Sequence, residues 1–119
     1  MQSEGKKNVI LELTFEFSLM IIEYAELLDK QRKYQVSNQI IKSGTSIGAN
    51  VREAQNAESK ADFIHKMKIA AKEADETEYW LLLCKASSNY PFDEKLLEKL
   101  TNIIMILSKI IGTTKRSVN

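Results

Sequence analysis

Phe63, Met67, Ala70, Ala74, Thr77, Leu81 and Cys84 step by four and three along the chain. At about 3.6 residues per turn they form one stripe down a helix, and a four–three repeat is the pattern of a seam packed against other helices. The same spacing recurs in three further stretches. Ile10, Leu13, Phe17, Met20, Tyr24 and Leu27 make a stripe near the N-terminus, widened by Ile21 and Leu28. Ile40, Gly44, Ile47, Val51 and Ala54 make a thinner one, and Leu96, Leu100, Ile103, Leu107 and Ile110 make the last. One proline and four glycines in 119 residues leave little of the turn chemistry a sheet protein needs. The sequence therefore predicts an all-α chain, an antiparallel up-down four-helix bundle forming one domain over residues 1–119. The predicted helices run at about 7–30, 35–57, 60–87 and 93–112.

Local signals set these boundaries. Residues 31–34 form a polar connection. Ser59 followed by Asp62 approximates a capping box at the start of the third helix. The only proline, Pro91, marks the sharpest break, and Asp93 is placed to cap the fourth helix. Gly112 is expected to end that helix, with a frayed polar tail from residue 113 to 119.

A second set of apolar residues lies outside the first stripes. Leu11, Phe15, Leu19 and Ile22 share another flank of the first helix, and Leu97, Ile104 and Ile111 another flank of the fourth. A helix that is apolar on two sides needs cover on two sides. The expectation is a homo-oligomer with these seven residues in the interface.

Bulk properties exclude several functional classes. Seventeen basic and sixteen acidic side chains give a formal net charge of +1, without the marked excess of positive charge usual in nucleic-acid-binding domains. The single cysteine, Cys84, allows no intrachain disulfide and no Cys-rich metal site, which fits a reducing compartment. The longest apolar run, residues 103–107, is far short of the ~20 residues that cross a bilayer. The first seven residues carry no apolar signal segment. The reading is a cytoplasmic protein with no membrane partner.

The stretch SGTSIGANVREA, residues 43–54, raises the question of a phosphate loop. A P-loop needs glycines five apart followed by Lys and Ser or Thr, after a strand. Here Gly44 and Gly48 are four apart, no lysine follows, and no strand precedes. As part of a helix the two glycines fall on or beside the apolar line, where a neighbouring backbone or bulky side chain approaches closely. The candidate fillers are Phe17, Tyr24, Phe63 and Trp80. Ser43, Ser46, Asn50, Glu53 and Ala57 form a polar flank on this helix. Asp62, Lys66, Ile69, Glu73, Glu76 and Trp80 form its counterpart on the next. Two readings are open: a polar pocket between helices, or hydrogen bonds that fix their register. The second is favoured, because buried polar groups must be paired.

These motifs carry a resemblance. SGTSIGANVREA together with SKADFIHKMKIAAKEADETEYWLLL, residues 59–83, resembles the family of 23S rRNA intervening-sequence proteins. The likeness rests on Ser46, Ile47, Asn50 and Glu53 in the second helix, and on Asp62, Phe63, Lys72, Glu73, Glu76, Tyr79 and Trp80 in the third. Many relatives have Gly where this chain has Ala54. The resemblance implies a four-helix bundle assembled as a ring, five copies being favoured, in a bacterial cell, with no established catalysis. A related retroelement accessory protein forms similar rings and binds RNA and a reverse transcriptase through a basic surface.

Other chemistry finds little support. A di-iron bundle site needs Glu-x-x-His on two helices, and His65 is the only histidine. Neither metal nor cofactor is expected, and no nucleophile–base pair is apparent. His65 falls on a flank with Lys68, Lys72 and Tyr79 and reads as a surface residue. Lys30, Arg32 and Lys33 cluster at the first turn, and Lys60, Lys66, Lys68 and Lys72 on the third helix. These seven are the candidate contacts for rRNA or another nucleic acid. The functional expectation is a non-enzymatic homo-oligomeric scaffold or binding module. The alternative is an RNA- or DNA-binding accessory protein acting through a localised basic face.

Overall fold

The computed structural model describes residues 8–117, and these contain four helices and no strand. They are α1, Val9–Lys30; α2, Tyr34–Ala54; α3, Lys60–Ala86; and α4, Glu94–Arg116. The shape is elongated, 51 by 25 by 21 Å. Contacts join α1 to α2, α2 to α3, α3 to α4 and α4 back to α1, which leaves α1 opposite α3 and α2 opposite α4. Side-chain contacts tie neighbouring elements together. Asn8 meets Gln55 and Ser37 meets Ala25; Ser43 meets Thr77 and Glu53 meets Lys66. On the remaining two sides Glu16 meets Lys99, Tyr24 meets Pro91 and Lys85 meets Glu94.

The core is drawn from the stripes read from the sequence, with one correction: Leu27, placed on the α1 stripe, is 41% exposed. Phe17, Ile21, Leu28, Ile40, Ile47, Val51, Met67, Ala70, Ala74, Leu81, Leu100, Ile103 and Leu107 are fully buried. Three helices start on a side-chain cap that accepts from a backbone N–H the new helix leaves open. Asn8 accepts from Leu11, Ser59 from Asp62 and Asp93 from Lys95. Asp62 in turn accepts from the Glu58 N–H, one residue earlier than a strict capping box would have it. Tyr24 ties the α3–α4 connection to α1: its hydroxyl donates to the Pro91 carbonyl at 2.6 Å, and its ring packs edge-on against Phe92.

Two helix ends differ from the sequence expectation. α2 stops at Ala54 rather than near residue 57, because Gln55, Asn56 and Ala57 bond three residues back, to Arg52, Glu53 and Ala54. α4 runs through Gly112 to Arg116, so Gly112 is no stop and residues 113–116 are helical rather than frayed. Gly112 lacks the left-handed backbone of a C-terminal cap. The Thr114 hydroxyl bonds the Ile110 carbonyl and the last turn continues. Residues 118 and 119 of the expected tail, and residue 7 of the first helix, lie outside the described residues.

The glycines of α2 do admit a close neighbour, but none of the four aromatic fillers expected. A Cβ on Gly44 would lie 2.9 Å from both Cγ1 and Cγ2 of Ile21, and one on Gly48 would lie 3.2 Å from the Thr14 carbonyl oxygen. Both gaps are therefore filled from α1, by a β-branched side chain and by the backbone itself.

The α1–α2 turn closes on an unusual residue. Arg32 has φ of 62°, the only positive φ outside glycine among the described residues. Its N–H bonds Asp29, and the Lys33 N–H bonds Leu28. These are the two hydrogen bonds of a Schellman motif, in which the left-handed position is ordinarily glycine.

Substitution at glycine positions should thus split by site. Gly112→Ala, whose Cβ meets only the tip of Arg116, should stabilise by up to about 1 kcal/mol through helix propensity. Gly44→Ala should lower the urea midpoint, since overpacking against Ile21 costs about 1–3 kcal/mol. The loss should shrink in an Ile21→Ala background, and a stabilised Gly44→Ala protein would refute the close contact. Arg32→Gly should stabilise by roughly 1 kcal/mol, read as a higher midpoint in the same urea titration.

Candidate functional site

The residues that carry the family motif lie along the α2–α3 seam and on the outer face of α3. At the centre of the seam the Thr77 hydroxyl donates to the Glu73 carbonyl at 2.7 Å. It also shares a buried 2.9 Å hydrogen bond with the Ser43 hydroxyl. Near the α2 C-terminus, Lys66 Nζ lies 3.1 Å from Glu53 Oε1. The two polar flanks therefore touch at one pair, Glu53 and Lys66, while Ser43 bonds Thr77 of the apolar seam. The other motif residues turn inward on their own helices. Asn50 donates to the Ser46 carbonyl, Ser46 to the Lys42 carbonyl, and the Trp80 indole N–H to Glu76. Tyr79 packs edge-on against Trp80 and is itself 59% exposed. Ile47 is buried, and Phe63 is half-buried against the core.

The seam holds no orphan that would wait for a ligand. Among the described residues, no buried side-chain nitrogen or oxygen lacks a hydrogen-bond partner. No group of three or more His, Cys, Asp or Glu among them is placed to hold a metal ion. His65 is exposed. Cys84 is buried, and burial pushes its thiol above the usual range, away from the thiolate a nucleophile needs. The Tyr24 phenol is likewise held well above its usual range, by burial first and by the Cys84 thiol beside it, so it stays a neutral donor to Pro91.

The candidate assembly residues separate. Phe15 is 64% exposed, Leu19 50% and Ile22 38%. They form a continuous strip with half-buried Leu11, beside a groove of about 360 Å³ that Gly48 opens between α1 and α2. On α4, Ile104 and Ile111 are half-buried. Leu97 is a correction: it is 8% exposed and belongs to the core of its own chain. A second apolar patch, missed as such in the sequence, consists of Tyr79, Leu82 and Leu83 on the outer face of α3. Its signal was the run Trp80–Leu83, wider than the seam requires.

The seven candidate cations do not form one face. Lys30, Arg32 and Lys33 lie at the α1–α2 turn, at one end of the molecule. Lys60, Lys66, Lys68 and Lys72 lie on the N-terminal half of α3, towards the other. Two of the latter group are engaged within the chain: Lys66 pairs with Glu53, and Lys60 donates to the Ser117 carbonyl. Lys68 sits against Lys115, whose pKa is lowered by that neighbour. At the turn, Lys33 Nζ lies 4.9 Å from the centre of the Tyr90 ring. No helix among the described residues is long and apolar enough to cross a membrane.

Comparison with known proteins agrees with these features. Among curated proteins, none matches the chain. A crystal structure from Bacteroides thetaiotaomicron, of a protein of unknown function in the S23 ribosomal protein family, is 42% identical in sequence. The match covers 86% of this chain and 97% of that one, with a TM-score of 0.81. The model of the 23S rRNA-intervening sequence protein family matches residues 6–113. With the four helices, the Ser43–Leu83 motifs and this match over nearly the whole chain, the protein belongs to the 23S rRNA-intervening sequence protein family.

Proposed function

We propose that this protein is a non-enzymatic scaffold: an antiparallel up-down four-helix bundle that assembles with copies of itself into a ring. The observation that carries the reading is the strip Phe15, Leu19 and Ile22, exposed along the outer side of α1. Three large apolar side chains in a row are costly to leave in water. Fully burying one such side chain contributes about 1.5–3 kcal/mol. The patch of Tyr79, Leu82 and Leu83 on α3 supplies a surface of matching character on the opposite helix. Two different patches on opposite helices favour a head-to-tail contact, in which the α1 strip of one copy covers the α3 patch of the next. Such contacts close into rings when the rotation allows. Five copies is the number the family resemblance favours.

A scaffold role also accords with the polar seam. Its buried polar groups are satisfied within the described residues, and the Ser43–Thr77 bond ties α2 to α3 instead of presenting groups to a substrate. The buried, protonated Cys84 suits a reducing cytoplasm.

Light scattering on the eluting protein tests this. The full chain should show a mass several times 13.6 kDa, near five times for the favoured ring. Phe15→Glu and Leu82→Glu should each reduce it towards the single-chain mass while the helical circular dichroism stays unchanged. A single-chain mass for the unaltered protein would remove the assembly and the scaffold reading with it.

A further inference from the structure

Charge is segregated along this chain in a way its balance of +1 conceals. From Lys30 to Arg52 there are five basic side chains, Lys30, Arg32, Lys33, Lys42 and Arg52, and no Asp or Glu at all. Three of the five gather at the α1–α2 turn. None of those three forms an ion pair with a described acid; the ion pairs present are Lys66–Glu53, Lys85–Glu94 and Lys99–Glu16. Glu26 and Asp29, exposed on the last turns of α1, flank the three cations without pairing to them, so these five groups carry a net charge of +1, three basic less two acidic.

The turn also encloses space and carries aromatic surface. A cavity of about 300 Å³ is lined by Arg32, Lys33, Tyr34, Gln35, Val36 and Tyr90. Lys33 is held over the Tyr90 ring, and Tyr34 is 55% exposed at the cavity edge. The start of α2 adds to this field instead of opposing it. It is the one helix without a side-chain cap, and it has no acid in its first turn.

We propose that the α1–α2 turn binds single-stranded nucleic acid. Arg32, Lys30 and Lys33 meet successive phosphates, and one unpaired base stacks on the exposed face of Tyr34. The combination selects this ligand class. Clustered cations answer a backbone with a charge at every residue, and an exposed ring answers a base whose face is free. A duplex offers the phosphates but keeps its base faces stacked away. An acidic polypeptide offers charge without rings. Gln35 and Asn38, on the open side of the acid-free helix, continue the surface towards Lys42 with neutral hydrogen-bonding groups. The site does not depend on assembly, though a ring would repeat it.

The test is fluorescence anisotropy with the full chain and a labelled twelve-nucleotide RNA, at about 50 and 200 mM salt. The unaltered protein should bind, and three neutralised phosphates should weaken binding roughly tenfold or more between the two salts. Tyr34→Ala should lose roughly 5- to 100-fold and Tyr34→Phe should retain binding, the pattern of a stacked base. Arg32→Gly is the decisive variant. It relieves a left-handed backbone and should fold more stably, yet it should bind more weakly, so instability cannot explain its loss. Lys68→Gln and Lys72→Gln, on the other cluster, should bind as the unaltered protein does. The proposal is overturned by no binding at the lower salt, by full binding in Arg32→Gly or Tyr34→Ala, or by an equal loss in the Lys68 and Lys72 variants. It is equally overturned if a duplex of the same length binds as tightly, or if polyglutamate of equal charge displaces the RNA as well as unlabelled RNA does.

Discussion

The contact between Gly44 and Ile21 sets the geometry from which most of the molecule follows. With no Cβ at Gly44 and none at Gly48, α2 lies against the Ile21 side chain and against the Thr14 carbonyl. That fixes the rotation of α1 about its own axis. At about 100° per residue, a helix turned to seat Ile21 must carry Phe15 and Ile22 more than a quarter turn away, and Leu19 further still. The same rotation that buries Phe17, Ile21 and Leu28 therefore leaves Phe15, Leu19 and Ile22 facing water. The exposed strip follows from this packing, so a change that loosened the glycine contact would disturb the core and the outer face together.

Polar pairing then locks what apolar packing leaves free. Apolar stripes fix which side of a helix is buried more firmly than they fix its sliding along a neighbour. Here three directional bonds tie neighbouring elements. Ser37 donates to the Ala25 carbonyl between α1 and α2, Ser43 pairs with Thr77 between α2 and α3, and Tyr24 holds Pro91 ahead of α4. A slip by one turn would part these pairs and leave the buried Ser37 hydroxyl without its Ala25 partner, at about 1–3 kcal/mol. The small side chains of α2 serve both ends: Gly lets α1 in, and Ser bonds to α1 and α3 without holding either apart.

The helices were legible in the sequence because their signal is repeated over many turns; single-residue events were not. The Phe63–Cys84 seam could be read directly, and Ser59 and Asp93 marked two starts, since a cap acts on its own first turn. Gly112 misled because glycine is compatible both with a left-handed stop and with an ordinary turn, and the choice lay with neighbours such as Thr114. The filler beside Gly44 could not be chosen either, because Phe17, Ile21 and Tyr24 differ by only one turn on the same stripe. Thr77 reads as a member of the apolar seam; its hydroxyl finds a use only because Ser43, distant in sequence, is folded against it. Nothing in the residues around Arg32 announces a left-handed backbone, because that conformation is imposed by the hydrogen bonds of the turn.

The two proposed surfaces divide the molecule by physical character. The α1 strip and the α3 patch are apolar and lie on opposite helices, so contacts through them spend the sides of the molecule and leave its ends free. The α1–α2 turn is at one of those ends, where Lys30, Arg32 and Lys33 gather beside Asp29 and form no ion pair with a described acid. In any cyclic arrangement the turns of all copies lie at one level along the ring axis, because every copy is related by rotation about it. A cluster of three cations, weak in a single chain, is then repeated within reach of one polyanion, and the effective concentration of the second contact rises without any new residue. Near-neutral overall charge is consistent with this arrangement, because of the acids of α1 and α3 only Glu26 and Asp29 flank the turn in sequence, against its three cations. Net charge is a property of the chain, whereas binding responds to the local field.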